Sequence, residues 1–417
     1  MFAARLPHRY VNALRARLAP RLLLTGIAIA SLGLAACGTS TTSAPGSSTA
    51  QAGNATVKIG MIYPRTGPLS VFGDEYRKGF EAGLAYVTHG TGKLGDTTIE
   101  VSWNDSAGNP GQAVAEAKTL IGKGYTILAG PSDSAVALQV AAVAAQNKVL
   151  FVSGPAAVDQ LSGINRYTFR SGRQTWQDVK TAAAIMGAPA GKHVMVFAQD
   201  YAFGQANLAA IKAVLGGAGA NVTGLLVPLS TTDFTPFAQK ITNAHPDMLF
   251  VAWAGASMYP MWNTLDQQGI FDRTTVVTGL GNVASYNAYG PATTKLAFLS
   301  YYFPGATDNA VNTAMKELIT KAGGTPDLFS PDGFVAAQMI AHAVETAHGD
   351  HDVDAMIAAL EGWSFDAPKG RQTIRKTDHA MLQPEYIARL ALRGKDYVPE
   401  LVKTVPAEDI APPVATQ

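Results

Sequence analysis

Short β-rich runs alternate with longer helical patterns from residue 56 onward, and they do so in two series separated by a break. Parallel strands can be joined only by a crossover, which a helix usually supplies, so this alternation reads as βαβ units around parallel sheets. The first series holds TVKIGMIY (56–63), TIEVSWND (98–105), YTILAG (125–130) and KVLFVSG (148–154). The second holds HVMVFAQD (193–200), VTGLLVPL (222–229), DMLFVAW (247–253) and TTVVTG (274–279). Helical patterns over 74–87, 111–123, 135–146, 205–215, 234–243 and 259–268 lie between them. Two series of one unit predict two similar lobes, and roughly 360 residues are also too many for one ordinary core.

The break falls at Tyr167-Thr168-Phe169-Arg170-Ser171-Gly172, which has strand character and runs into a helix starting near Thr175. It reads as a first crossing between lobes. An apolar strand over 297–303 and helices over 311–322 and 333–346 read as a return to the first lobe, and a third crossing is expected near 370–384. The expected division is lobe 1 from 56–171 and 302–376, lobe 2 from 172–301 and 377–405, and a C-terminal tail over 406–417. The fold class is α/β, two doubly wound parallel-sheet lobes joined by three hinge crossings. Such crossings leave a cleft between the lobes and let it close through a few backbone torsions.

Upstream, Arg5, Arg9, Arg15, Arg17 and Arg21 precede an uncharged stretch of about 15 residues, Leu22 to Ala36. Residues 1–36 have a signal-peptide layout, and the apolar stretch is shorter than the roughly 20 residues of a bilayer-spanning helix. Leu34-Ala35-Ala36-Cys37 resembles the bacterial lipobox, and Cys37 is the only cysteine. The resemblance implies cleavage before Cys37 and acylation of its thiol, which anchors the protein to the membrane through lipid alone. Residues 38–55 contain no bulky apolar side chain and read as the body of a flexible tether that starts at Cys37. Loss of the leader's five arginines moves the formal charge from +1 to about −4. No basic patch argues for nucleic acid. A lipidated Cys37 leaves no thiol for a disulfide, so the fold must rest on packing.

The strand-end loops carry the chemistry. The run over 125–130 leads through Pro131-Ser132-Asp133-Ser134 into a helix, gathering hydroxyls and free N–H groups at a helix N-terminus, which suits a carboxylate. Ser132, Asp133 and Ser134 also suit the helix as caps. Loops of this kind lie at the carboxyl ends of parallel strands, where open α/β sheets bind ligands.

In order and spacing, these loops resemble the leucine/isoleucine/valine-binding-protein group of type I periplasmic binding proteins, the solute receptors of ABC importers. The matching pieces are Gly67-Pro68-Leu69-Ser70-Val71-Phe72-Gly73, Asp105 with Asn109-Pro110, Gly130 to Ser134, Val152-Ser153-Gly154, Asp200-Tyr201-Ala202-Phe203-Gly204, and Asp233-Phe234 with Pro246-Asp247. The resemblance runs from Thr56 to about Leu392. It implies that Phe72 is an aromatic wall, that Ser134 beside Ser132 donates to a ligand carboxylate, and that Pro155-Ala156-Ala157 offers backbone groups. Phe203 takes the place of a second-lobe tyrosine, Trp253 stands at a strand tip facing the cleft, and Trp176 and Phe329 each add an aromatic face. Where amino-acid binders of the family hold the ligand ammonium with a glutamate, this chain has Leu280. An ammonium would then need Asp133, Asp200 or Asp266, because a buried charge without a partner costs several kcal/mol. The pocket is therefore expected to favour a carboxylate or polar head on an apolar or aromatic body, with branched-chain amino acids as the family's usual ligand.

Two motifs point elsewhere and are set aside. Gly90-Thr91-Gly92-Lys93-Leu94-Gly95 has GxGxxG spacing, but it follows a helix and precedes a strand, the reverse of a nucleotide loop. His348-Gly349-Asp350-His351-Asp352 reads as a solvated turn rather than a metal site, which needs three or four convergent ligands. No GxSxG, HExxH or CxxC occurs. The expected protein is thus no enzyme and takes no cofactor or metal. It is a monomeric extracytoplasmic receptor of the bacterial envelope that captures a small solute by hinge closure and passes it to an ABC permease and its ATPase. A ligand sensor presenting the same two lobes to a membrane signalling partner is the alternative.

Overall fold

The computed structural model describes residues 56–415; the leader, Cys37 and the tether lie outside the described residues. The first lobe is built on β1 (Thr56–Tyr63), β2 (Lys93–Leu94), β3 (Thr97–Asp105), β4 (Ile127–Gly130), β5 (Leu150–Ser153) and β6 (Thr168–Arg170). They form one sheet in the order β2-β3-β1-β4-β5-β6, parallel except for β2. Helices α1 (Ser70–Val87), α2 (Pro110–Gly122) and α3 (Ser134–Asn147) are its crossovers. Strands β4 and β5 are buried at every residue, because helices cover both faces of a parallel sheet, and this is why they read as continuous apolar runs.

The second lobe repeats the plan with α4 (Thr175–Met186), β7 (His193–Gln199), α5 (Ala202–Ile211), β8 (Asn221–Val227), α6 (Thr235–Ala244), β9 (Met248–Ala252), α7 (Met258–Gln267), β10 (Thr275–Gly279) and β11 (Leu296–Ser300). The chain then returns to the first lobe as α8 (Ala310–Lys321), α9 (Ser330–Thr346), α10 (Val353–Leu360) and a small antiparallel sheet of β12 (Ser364–Ala367), β13 (Gly370–Ile374) and β14 (Met381–Leu382). It crosses a third time into β15 (Glu385–Arg393) and β16 (Asp396–Val405), which extend the second sheet with antiparallel strands to give β16-β15-β11-β10-β9-β7-β8. The small sheet, α10 and the β15/β16 hairpin are additions to the pattern read from sequence. So are the helical turns over Val283–Lys295.

Helices α1 and α9 pack backbone to backbone. A Cβ at Gly79 would stand 2.0 Å from the Ser330 carbonyl oxygen, and one at Gly333 2.0 Å from that of Tyr76. The helix-interior glycines, unfavourable for a helix by about 1 kcal/mol each, therefore set how closely α9 lies on the helix that begins beside the site. In each sheet the strand order reverses next to its first strand, between β1 and β4 and between β7 and β9. Those reversals open crevices at the carboxyl ends of the strands, where open α/β sheets bind ligands. No helix among the described residues is long and apolar enough to cross a membrane.

Candidate functional site

Loops from the carboxyl ends of strands in both sheets line a cavity, part of it open to solvent. The first lobe contributes Leu69 and Phe72 after β1, Ser132 to Ser134 after β4, Pro155 and Ala157 after β5, and Leu328 and Phe329 ahead of α9. The second contributes Tyr201, Phe203 and Asn207 after β7, Trp253 and Ala254 after β9, and Leu280 to Asn282 after β10. Arg173 and Tyr301, on two of the crossings, and Asp178 on α4 complete the wall at the hinge.

The aromatic groups brace one another. Phe72 meets Phe329 edge to face at 5.1 Å, Tyr301 stacks on Phe329 at 5.7 Å, and the Arg173 guanidinium lies 3.7 Å above the Tyr301 ring. On the opposite lobe Trp253 packs on Phe197 and Phe234, and its indole N–H donates to Ser257 Oγ at 3.1 Å. These contacts hold the rings in place before any solute arrives.

The polar end lies at α3. Asp133 caps the helix by accepting from the Val136 N–H at 2.9 Å, Ser134 opens it, and the buried Ser132 hydroxyl has no hydrogen-bond partner among the described residues. Burial raises the Asp133 carboxyl above its ordinary range, against the backbone N–H groups that stabilise its charge. Burial also raises the phenol of Tyr201, with Asp133 adding to the effect, and pushes that of Tyr301 up to about 12. Both phenols are therefore neutral donors at physiological pH.

Beneath the cavity the crossings carry a buried ionic cluster. Arg173 Nε donates to Asp178 Oδ1 at 3.3 Å and its Nη1 to the Pro155 carbonyl at 2.5 Å. Arg170 donates to the carbonyls of Val158 and Ala156 and to Ser162 and Gln174. Asp332, Lys369 and Glu385 lie close by, each at 3% exposure or less. Desolvation lowers Arg170 to about 10 and raises Asp332 to about 6. At Arg173 burial works against the charge, but Asp178, Tyr301, Asp332 and Glu385 outweigh it.

Of the residues singled out from sequence, Phe72, Ser132, Ser134, Pro155, Ala157, Phe203, Trp253, Leu280 and Phe329 line this one cavity. Ala156 stands behind the wall, with its carbonyl on Arg170 at 2.7 Å. Trp176 also stands off the wall, its backbone N–H bonded to Asp159 at 2.9 Å. Leu280 is fully buried and gives the wall an apolar surface where the resemblance led us to look for an acid. Of the three aspartates weighed as substitutes, Asp133 reaches the cavity; Asp200 accepts from Gln205 on the surface, and Asp266 is exposed on α7. Arg173, Asp178, Tyr201, Tyr301 and Asn282 were not foreseen as wall residues. The sequence signal for Arg173 is a charge at a predicted crossing, and Tyr201 lies in the same Asp200-Tyr201-Ala202-Phe203-Gly204 run as Phe203.

A family model described as periplasmic binding protein matches residues 56–396. Among curated relatives, a Leu/Ile/Val-binding protein homolog 6 from Brucella suis is 27% identical over 80% of this chain and 87% of its own. Among solved structures, an ABC-type branched-chain amino acid transporter protein from Rhodopseudomonas palustris CGA009 is 33% identical, with a TM-score of 0.73 over 87% of this chain and 100% of that one. A solute-binding protein of an ABC transporter from R. palustris HaA2, in complex with p-hydroxybenzoic acid, is 26% identical with a TM-score of 0.77, covering 84% and 97%. With its two parallel-sheet lobes and three crossings, the chain belongs to the leucine/isoleucine/valine-binding-protein-like family of type I periplasmic binding proteins.

Proposed function

We propose that this protein is the solute receptor of an ABC importer, binding a small carboxylate with an apolar or aromatic body and releasing it unchanged to a membrane permease. The observation that carries the reading is the polarity of the cavity. Ser132, Ser134 and Arg173 supply polar groups to the wall, and Phe72, Phe203, Trp253 and Leu280 supply apolar surface. Such a site orients a solute through a few polar groups and gains affinity from apolar burial. Contacts to Phe203 and Trp253 made only when the lobes approach would shift the hinge toward closure. Relatives from ABC transporters that bind p-hydroxybenzoic acid or are described as branched-chain amino acid transporters agree with this class of solute. We further propose that Cys37 carries a lipid anchor and that residues 37–55 tether the receptor beside its permease. The proposed binding residues are Phe72, Ser132, Ser134, Pro155, Ala157, Phe203, Trp253, Leu280 and Phe329.

Asp133 on the wall favours a second reading, an α-amino acid whose ammonium it would hold. Tryptophan fluorescence and melting temperature, followed across leucine, 4-methylpentanoate, 4-hydroxybenzoate and aliphatic amides, separate the two. Binding of 4-hydroxybenzoate or 4-methylpentanoate supports the carboxylate, binding of leucine alone supports the amino acid, and silence across the panel with detectable ester hydrolysis overturns both.

A further inference from the structure

The lobes also meet at the cavity wall itself. Glu75 on α1 and Asp327 ahead of α9 belong to the first lobe and are buried, at 5% and 9% exposure. Opposite them stands Asn282-Val283 of the second lobe, of which Asn282 lines the cavity together with Leu280 and Gly281. Asn282 Nδ2 donates to Glu75 Oε1 at 2.9 Å, and the Val283 N–H donates to both Asp327 carboxylate oxygens at 3.1 Å. Each acid is held from its own lobe as well, Glu75 by the Phe329 N–H at 3.3 Å and Asp327 by the Leu328 N–H at 2.8 Å. Two carboxylates of one lobe therefore grip the loop that forms the other lobe's cavity wall.

We propose that Glu75 and Asp327 form an interlobe clasp on Asn282 and Val283 that holds the lobes together over the cavity and takes up a proton as it closes. Its role in solute capture rests on the cavity being a solute site; its closure does not. When the lobes part, both carboxyls face water; when they meet, burial and mutual repulsion penalise having both ionised. Burial first, and then the Asp327 charge, raise Glu75 well above its ordinary value, and burial raises Asp327 to about 6. The other groups facing the pair are Asp74, which adds repulsion at Glu75, and Lys78, which favours the Asp327 charge while paired with Asp74 at 2.6 Å. Tyr286 and Tyr302 also face it, with phenols that burial keeps neutral. Both carboxyls are thus raised in the closed form. The clasp acts fully below their ordinary values of 4.5 and 3.8; the part of its hold that comes from protonation is lost as pH rises through about 6 and beyond, and the bonds from Asn282 and Val283 remain.

The test needs no solute. In the full chain carrying Cys37→Ser, Lys123→Cys and Lys240→Cys place donor and acceptor dyes on opposite lobes, and single-molecule energy transfer reads the closed-to-open ratio from pH 5 to 8. We expect the ratio to fall about tenfold or more over that range, one pKa unit corresponding to a factor of ten. Glu75→Gln keeps an acceptor for Asn282 without a charge and should shrink the slope; Glu75→Gln with Asp327→Asn should abolish it; Asn282→Ala should lower the ratio at every pH. Equal ratios and slopes in all four, each shown folded by its near-ultraviolet circular dichroism, overturn the clasp. Leucine and 4-hydroxybenzoate added to the same samples test the solute reading separately. Should neither change the transfer while pH and the variants do, the clasp stands and the solute reading falls.

Discussion

The cavity and the hinge beneath it are built on opposite principles. The cavity wall is mostly aromatic and aliphatic, with few charged side chains, whereas the hinge packs Arg170, Arg173, Asp178, Asp332, Lys369 and Glu385 into a region at 3% exposure or less. Apolar surface can be reshaped at about 25 cal/mol per Å². A buried charge must instead keep its partners, because removing one leaves the other unpaired. On the function proposed above, the contrast gives solute choice to the wall and lobe geometry to the ionic cluster, with Arg173 and Asp178 belonging to both. Changes in the hinge should register as lost stability, and changes in the wall as lost affinity. Arg170→Met is the most severe test. It deletes bonds to Ala156, Val158, Ser162 and Gln174 and the countercharge of Asp159, and should cost about 3–5 kcal/mol. Urea unfolding measures it, and a loss under about 1 kcal/mol would mean that the cluster does not hold the crossings.

Titration probes the same cluster without disrupting it. Burial raises Asp332 from 3.8 to about 6 and Glu385 well above its ordinary value. A carboxyl raised by folding adds stability that is fully present below its unfolded pKa and is lost as pH climbs through its folded one. For Asp332 the window runs from about pH 4 to pH 6, and two units correspond to about 3 kcal/mol. Wild-type unfolding free energy at pH 4.5 relative to pH 7.5 should therefore exceed that of Asp332→Asn by about 2 kcal/mol. Parallel curves for the two proteins would break the assignment of this carboxyl to the cluster.

The same contrast explains what could be read from the chain alone. Runs such as ILAG (127–130) and LFVS (150–153) are buried throughout, so their apolar continuity survives in the sequence as a strand signal. The cavity was visible because Ser134, Phe203 and Trp253 stand soon after strand ends and Phe72 in the first turn of the helix that follows β1, and strand ends converge at a reversal of strand order. The hinge was less visible. The crossing at Arg170 could be located, but the spacing of Arg173 and Asp178 carries no mark of burial, and their partners Asp332, Lys369 and Glu385 arrive from more than 150 residues away. Residues 377–405 are expected in the second lobe, but the β15/β16 hairpin itself is not, because its pairing depends on β11, a partner almost 90 residues earlier. Periodicity reports the face a segment buries, not the distant segment that buries it.

Phe203 gives the smallest and most selective test of the comparison. It stands in the first turn of α5, half-buried on the cavity wall beside Tyr201 at 6.0 Å, with part of its ring against the second-lobe core. Truncation to alanine removes apolar surface that a solute would cover on closure, worth about 1–2 kcal/mol, while the cost to the fold is limited because the ring is already partly exposed. Phe203→Ala should therefore weaken binding of the best solute in the panel by about tenfold, read by titration calorimetry, and lower unfolding free energy by less than about 1 kcal/mol. The reverse outcome, unchanged affinity with a large loss of stability, would make Phe203 a core residue and would move the boundary between wall and scaffold deeper into the second lobe.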